Sequence, residues 1–210
     1  MPFSSIRDLL RRPVPRLEIP SSVALPDSLA FLQRGPSMSL VVFRGEIEKA
    51  VQDWLCANGW RLIESAPLRA SFEELSERST HSRKTEEKIW EVVKATYQVG
   101  GCTVLIDREM VVTTREAELA ELCRATGCGA VIGGLWERVS RSLDIIEIGS
   151  TGTRHRSTWV AGARQSEVEP WPHVTGSGPG DIIEVFRGAG LPIDAIFGRD
   201  LPATMLLLAE

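Results

Sequence analysis

The stretch from Cys102 to Gly162 most constrains what this chain can fold into, because its apolar runs are joined by very short connections. Ala130–Val139 (AVIGGLWERV), Leu143–Ile148 (LDIIEI) and Ser157–Gly162 (STWVAG) read as three strands rich in β-branched and aromatic residues. Ser140-Arg141-Ser142 and the Gly149–Arg154 segment join them and carry turn residues. A parallel crossover needs a dozen or more residues, so these strands must be antiparallel neighbours. Upstream, Thr103–Ile106 (TVLI) and Met110–Thr113 (MVVT) flank the polar Asp107-Arg108-Glu109 and predict a hairpin. Gly133-Gly134 inside a strand predicts a bulge or a close packing partner.

Within this stretch the period changes once. Thr113-Thr114-Arg115-Glu116 has the form of a capping box. Leu119, Leu122, Cys123 and Thr126 follow at helical spacing, and Gly127 and Gly129 stop the helix. This predicts a sheet with a helix across one face. Elsewhere, Ser39–Phe43 (SLVVF) reads as a buried strand. Gly45–Asn58 is an amphipathic helix with Ile47, Ala50, Val51, Trp54 and Leu55 on one stripe, Trp54 in the core. Trp60–Ile63 predicts a strand that ends before Pro67. Ser71–Thr85 is polar, which predicts a short helix without a core face and then a mobile loop at about 76–84. Thr85 is placed to cap a helix over 86–98, closed by Gly100-Gly101. A Gly/Pro-rich loop over 163–180 leads to Asp181, placed to cap a short helix carrying Ile182, Ile183, Val185 and Phe186; Leu201–Leu208 is apolar enough to pack back on the domain.

The expected fold class is therefore α+β: a mostly antiparallel sheet packed by amphipathic helices, in a single domain over 38–210. Residues 1–37 form a Pro-rich N-terminal arm with short helices, since six prolines interrupt it (Pro2, Pro13, Pro15, Pro20, Pro26, Pro36).

Composition narrows the function. Apolar residues at 43% and charged residues at 25% describe an ordinary globular protein. Net charge is −4 and the pI near 5.6, so no global field favours nucleic acid or an anionic membrane. No apolar run approaches the ~20 residues needed to cross a bilayer, and Met1–Arg12 lacks the apolar core of a signal peptide. The expected location is the cytoplasm. Cys56, Cys102 and Cys123 sit at apolar positions and read as buried thiols. Cys123 and Cys128 lack a second pair to complete a zinc set, so neither metal nor cofactor is expected. Among nucleophile systems, the pair to test is Cys102 with His155 or His173. Gly176–Gly180 fails as a phosphate cradle. No strand immediately precedes it, Asp181 puts a carboxylate where the anion would sit, and no Lys-Ser/Thr pair follows.

One asymmetry points to binding. Arg138, Arg141, Arg154, Arg156 and Arg164 fall on or near the last three strands, against only Asp144 and Glu147 between 138 and 164, with His155 and Trp159 among them. Guanidiniums gathered on one sheet end or face suit a carboxylate-rich partner or a phosphate. The helix ending in Asn58-Gly59-Trp60, followed by a hairpin-rich α+β half, resembles in architecture small bacterial immunity and antitoxin-type proteins. That resemblance implies a protein partner and assigns no residue a role. The leading expectation is a non-enzymatic, cytoplasmic protein–protein interaction module of immunity, antitoxin-like or accessory type, binding neither nucleic acid nor membrane. The alternative is a small-molecule-binding protein or enzyme with a pocket between the sheet and the helix at 46–58. A filled core with an exposed Arg/Trp patch favours the first; polar side chains converging on a deep cavity favour the second.

Overall fold

A computed structural model of the chain describes residues 29, 32, 37–79, 83–84, 90–108, 114–161, 163–176 and 178–209. Its frame is one antiparallel sheet. The strands are β1 (Ser37–Phe43), β2 (Arg61–Ala70), β3 (Arg83–Lys84), β4 (Trp90–Val99), β5 (Cys102–Ile106), β6 (Val131–Glu137), β7 (Ser142–Gly149), β8 (Gly152–Val160), β9 (Ala163–Val168) and β10 (Leu201–Ala209). They lie in the order β2-β10-β4-β5-β1-β6-β7-β8-β9, with the two-residue β3 also paired to β4. The helices are α1 (Glu48–Ala57), α2 (Phe72–Arg78), α3 (Glu116–Thr126), α4 (Pro179–Gly188) and α5 (Ile193–Ile196).

Both faces of the sheet are covered, not one. On one face Leu40, Val42, Val93, Tyr97, Val104 and Ile145 pack with Phe72 and Leu75 of α2, Ile182, Ile183 and Phe186 of α4, and Ile196 of α5. On the other, Val41, Phe43, Leu105, Val131, Ile146 and Ile148 pack with Val51, Trp54 and Leu55 of α1 and Leu119, Leu122 and Cys123 of α3. Two-sided burial explains why the inner strands read as unbroken apolar runs. Leu29 and Leu32 are also buried in the first layer; residues 1–28 of the Pro-rich arm lie outside the described residues.

The antiparallel meander over β6, β7 and β8 is as the short connections require. Gly134 lies in unbroken register with Leu40 and Ile145, so the glycine marks close packing and not a bulge: a Cβ there would stand 2.5 Å from Ile182 Cγ2. Gly127 ends α3 in the left-handed conformation, φ 69°.

Several expectations are corrected. The predicted helix over 86–98 is the strand β4, whose residues 92–97 are all buried. A helix facing a core buries one stripe, whereas a strand between β10 and β5 with both faces covered buries every position, and Val92, Val93, Thr96 and Tyr97 suit it. The hairpin of 103–106 with 110–113 is not made through β5, because β4 and β1 occupy both its sides; residues 109–113 lie outside the described residues. The strand at Trp60 does not stop before Pro67 but runs to Ala70, with Pro67 opposite Thr204. A proline is tolerated there because β2 is an edge strand and loses no ladder bond on its open side. The short helix expected after Ser71 is α2, and it runs to Arg78, into the stretch expected as loop. Ser71 Oγ accepts from Glu74 N–H, and Phe72 and Leu75 do supply a core face, with the Phe72 ring edge-on to Phe197 at 4.7 Å. The loop expected from 163 begins instead as β9. Asp181 does not cap α4; it lies in the first turn and its buried carboxylate accepts from Thr175 N–H and Oγ1–H. The C-terminal run does more than pack back, since β10 sits between β2 and β4. Cys56, read as buried, is exposed, while Cys102, Cys123 and Cys128 are buried.

Among the described residues one ion pair lies wholly inside. Lys94 and Asp107 are both 0% exposed and paired, and Lys94 Nζ stands 5.6 Å from the centroid of the Trp60 ring. Removing one partner leaves a buried charge uncompensated. We expect Asp107→Ala to cost about 3–5 kcal/mol in urea unfolding, and Lys94→Met together with Asp107→Leu to cost less than either single change. Equal or larger loss in the double variant would argue that the pair is a net stabiliser.

Candidate functional site

Strand alternation sorts the arginine and aromatic residues of β6–β9 onto two faces and two ends. In β8, Arg156 is opposite Ile146 and Thr158 opposite Asp144, which puts both on the face covered by α3. His155, Ser157 and Trp159 point to the face covered by α4. The expected single patch is therefore divided.

Arg156 is a structural tie. Its Nε and Nη2 reach Asp144 Oδ1 and Oδ2 at 3.3 and 3.0 Å, and its Nη1 reaches Glu116 Oε1 at 2.5 Å. Thr158 Oγ1 donates to Asp144 Oδ1 at 2.7 Å, and Thr153 Oγ1 donates to Glu116 Oε2. The capping-box pattern predicts Glu116 as its return half. The Glu116 carboxylate is turned toward the sheet instead, and the α3 N-terminus, flanked by Arg115, has no side-chain cap. The network pins the start of α3 to β7 and β8.

Arg154 stands at the opposite end from the β6–β7 turn, beside a register shift between Glu147 and Ile148. It lies over Gly149, where a Cβ would collide with its guanidinium, and its Nη1 is 3.5 Å from Glu147 Oε1. His155 shares its Nδ1 with the Glu169 carbonyl at 2.6 Å, and its ring meets that of Trp171 at 5.2 Å.

The remaining members do gather. The β6–β7 and β8–β9 turns lie side by side at one end of the sheet, and they present Arg138, Arg141 and Arg164. Trp136, Leu143, Trp159 and Arg164 are aligned across four strands. The Arg164 guanidinium carbon stands 5.7 Å from the centroid of the Trp159 ring. At the same end, Val139 is 87% exposed and Val160 47% exposed. Both turns hold a non-glycine residue in the left-handed region, Arg141 at φ 51° and Ala161 at φ 53°. Glu137 in the same turn accepts from Ser140 Oγ at 2.7 Å. Val139 and Trp136 were not singled out from sequence. A valine inside the polar run Glu137–Ser142 was the available signal, since a turn gives it no core to join.

The other candidate arrangements are not brought together. Cys102 on β5 and His155 on β8 are four strand steps apart, about 19 Å at the usual spacing, and His173 follows the Trp171 that meets His155. Burial pushes the Cys102 thiol above its ordinary range. A mutual hydrogen bond raises Cys123 and holds Cys128 down to about 7. Among the described residues no group of three or more His, Cys, Asp or Glu could hold a metal ion, and no helix is long and apolar enough to cross a membrane. Between α1 and the sheet, Val51, Trp54 and Leu55 are buried, and Glu48, Gln52 and Thr96 bond one another.

Two outcomes follow. Arg156→Ala should lower unfolding stability by about 1–3 kcal/mol, because Asp144, 6% exposed, loses its cationic partner; a change within experimental error would mean the tie carries no weight. With Ellman's reagent, one thiol, Cys56, should react rapidly in the native protein and all four after unfolding; a second fast thiol would show that one of the buried cysteines is accessible. Comparison of the chain with known protein families, curated proteins and solved structures finds no match.

Proposed function

We propose that this protein is a non-enzymatic interaction module that docks an acidic protein partner on the turn end of β6–β9. The observation that carries this reading is Val139, an 87% exposed valine in the turn that also carries Arg138 and Arg141, at the same sheet end as Arg164. An exposed apolar residue beside arginines at one sheet end is the composition of a contact surface whose centre is desolvated on binding and whose rim pairs with carboxylates. The left-handed conformation of Arg141 supports it. Glycine would occupy that position without steric cost, so keeping a long charged side chain there has a reason other than the fold. Net charge of −4 makes this local cationic surface a contrast with the rest of the chain, and such contrast steers an acidic partner. A cytoplasmic immunity-type or accessory subunit is the kind of protein in which such a module would act. A pocket beneath α1 draws less support, because buried apolar side chains fill that contact.

Arg156 is unsuitable for testing this surface, since its loss unties α3. The informative variants are Arg141→Glu with Arg164→Glu, and separately Val139→Asp. Wild-type protein should retain one stoichiometric partner from its host, with binding weakened by salt. Both variants should lose it by at least about tenfold while their circular dichroism stays unchanged. A partner held equally by all three proteins would move the contact elsewhere, and no partner at all would remove the interaction reading.

A further inference from the structure

The end of α3 brings two cysteines together. Cys123 sits in the last turn of the helix, and Cys128 follows just beyond Gly127, which adopts the left-handed conformation. At a helix end of this form the residue after the glycine folds back toward the last turn, because the left-handed step reverses the chain. Both side chains are buried in the layer beneath α3, 1% and 5% exposed. Their thiols share a hydrogen bond.

The two sulfurs are not equivalent. Cys128 accepts the hydrogen bond from Cys123, which favours the Cys128 thiolate. Burial opposes this, while backbone hydrogen bonds from Ala130 and Arg44 and the charge of the Arg44 guanidinium assist it. As a thiol, Cys128 donates to the Ala130 carbonyl at 3.2 Å. Cys123, the donor, holds its own proton more tightly. A sulfur disposed to ionise beside one that keeps its proton is the arrangement of an attacking and a resolving thiol.

A small oxidant has a short way in. Cys128 lies between Gly127 and Gly129, both exposed. A Cβ at Gly127 would meet nothing within 4 Å, and one at Gly129 only the Arg44 side chain. The turn therefore has room to shift as the sulfurs close from hydrogen-bond contact to the ~2.05 Å of an S–S bond. Ellman's reagent is bulky, whereas a peroxide is little larger than water. The other cysteines differ: Cys56 stands exposed on α1, and Cys102 belongs to the opposite core layer, where burial pushes its thiol up.

We propose that Cys123 and Cys128 form an oxidation site that reduces a hydroperoxide and is left as a disulfide. The Cys128 thiolate, its proton released to solvent, attacks a peroxide oxygen. An S–O bond forms, the O–O bond breaks, and the electron pair departs as hydroxide or alkoxide, which takes up a proton. The Cys123 sulfur then attacks the Cys128 sulfenic acid. The S–S bond forms, the S–O bond breaks, and the leaving hydroxide takes the Cys123 proton as water. Two thiols thus lose two electrons and two protons, and the peroxide becomes water and an alcohol, or two waters. A thiol reductant returns the pair. The bond fastens the C-terminal end of α3, whose N-terminal end Arg156 already ties through Glu116. The site lies at the start of β6, away from the β6–β7 turn, and does not rest on the partner surface there.

The test uses the full chain with Cys56→Ser, which removes the exposed thiol, treated natively with hydrogen peroxide, then denatured and alkylated. Mass spectrometry should find Cys102 alone alkylated and the chain lighter by two hydrogens. Trypsin cleaves after Arg124, so the digest should contain the Cys123 and Cys128 peptides joined, and dithiothreitol should separate them. Cys128 should be lost at least about tenfold faster than Cys102. With Cys123→Ser added, dimedone should label Cys128 and no link should form. The measurement on the Cys56→Ser chain decides the matter even if that second variant does not fold. All remaining thiols left free, a link from Cys102, or equal loss of Cys102 and Cys128 would each overturn the proposal.

Discussion

The structure depends on a sheet whose two faces are both removed from water. Burying apolar side chains on each side of β1, β4, β5 and β10 supplies the main driving force, and it obliges every backbone polar group of those strands to find its partner in the ladder. Several polar side chains inside this layer are paired. Lys94 meets Asp107, Thr96 meets Glu48, and Thr103 Oγ1 donates to the Gly45 carbonyl while accepting from the Ile47 N–H. These contacts fix where α1 begins and how β5 sits against it. A shift of one residue in β4 would put Lys94 among the apolar side chains of the opposite face, so the pair also opposes a wrong register.

Toward β6–β9 the cover thins, and the chemistry changes with it. α3 is held over β7 and β8 by the Arg156 network, and α4 reaches Trp136 and Gly134 but leaves the strand ends uncovered. β9 has no strand on its outer side among the described residues. Charged and aromatic residues concentrate here for a physical reason. Side chains at the rim of a sheet are not selected for packing, so those that recognise something can be kept there. Arginine sits in two different settings within a few residues: Arg156 makes a bidentate grip on Asp144 that organises the fold, whereas Arg141 and Arg164 are exposed at the sheet end, Arg164 against the Trp159 ring.

Much of the scaffold was legible in the chain. The helix on Val51, Trp54 and Leu55, the end of α3 at Gly127 and the meander over β6, β7 and β8 follow from period, cap and connection length. The helix predicted over 86–98 failed for a physical reason. Val92, Val93 and Tyr97 satisfy a helical spacing as well as a strand, and a strand buried on both faces shows no alternation by which to tell them apart. In the site, the arginine asymmetry was legible but its division was not. The sides to which Arg154, His155 and Arg156 turn depend on the pleat and on a register shift beside Arg154 that no residue type announces.

The sequence by itself determined that this chain makes an antiparallel sheet with amphipathic helices, because short connections and hydrophobic period are local properties. Tertiary structure alone decided the strand order, with the C-terminal β10 between β2 and β4 and β1 between β5 and β6. It also decided that Glu116 serves Arg156 and not its own helix, and that Ser157 and Trp159 share a covered face. Those outcomes join residues far apart in the chain, and which of many apolar faces meet is settled by packing summed over the whole sheet.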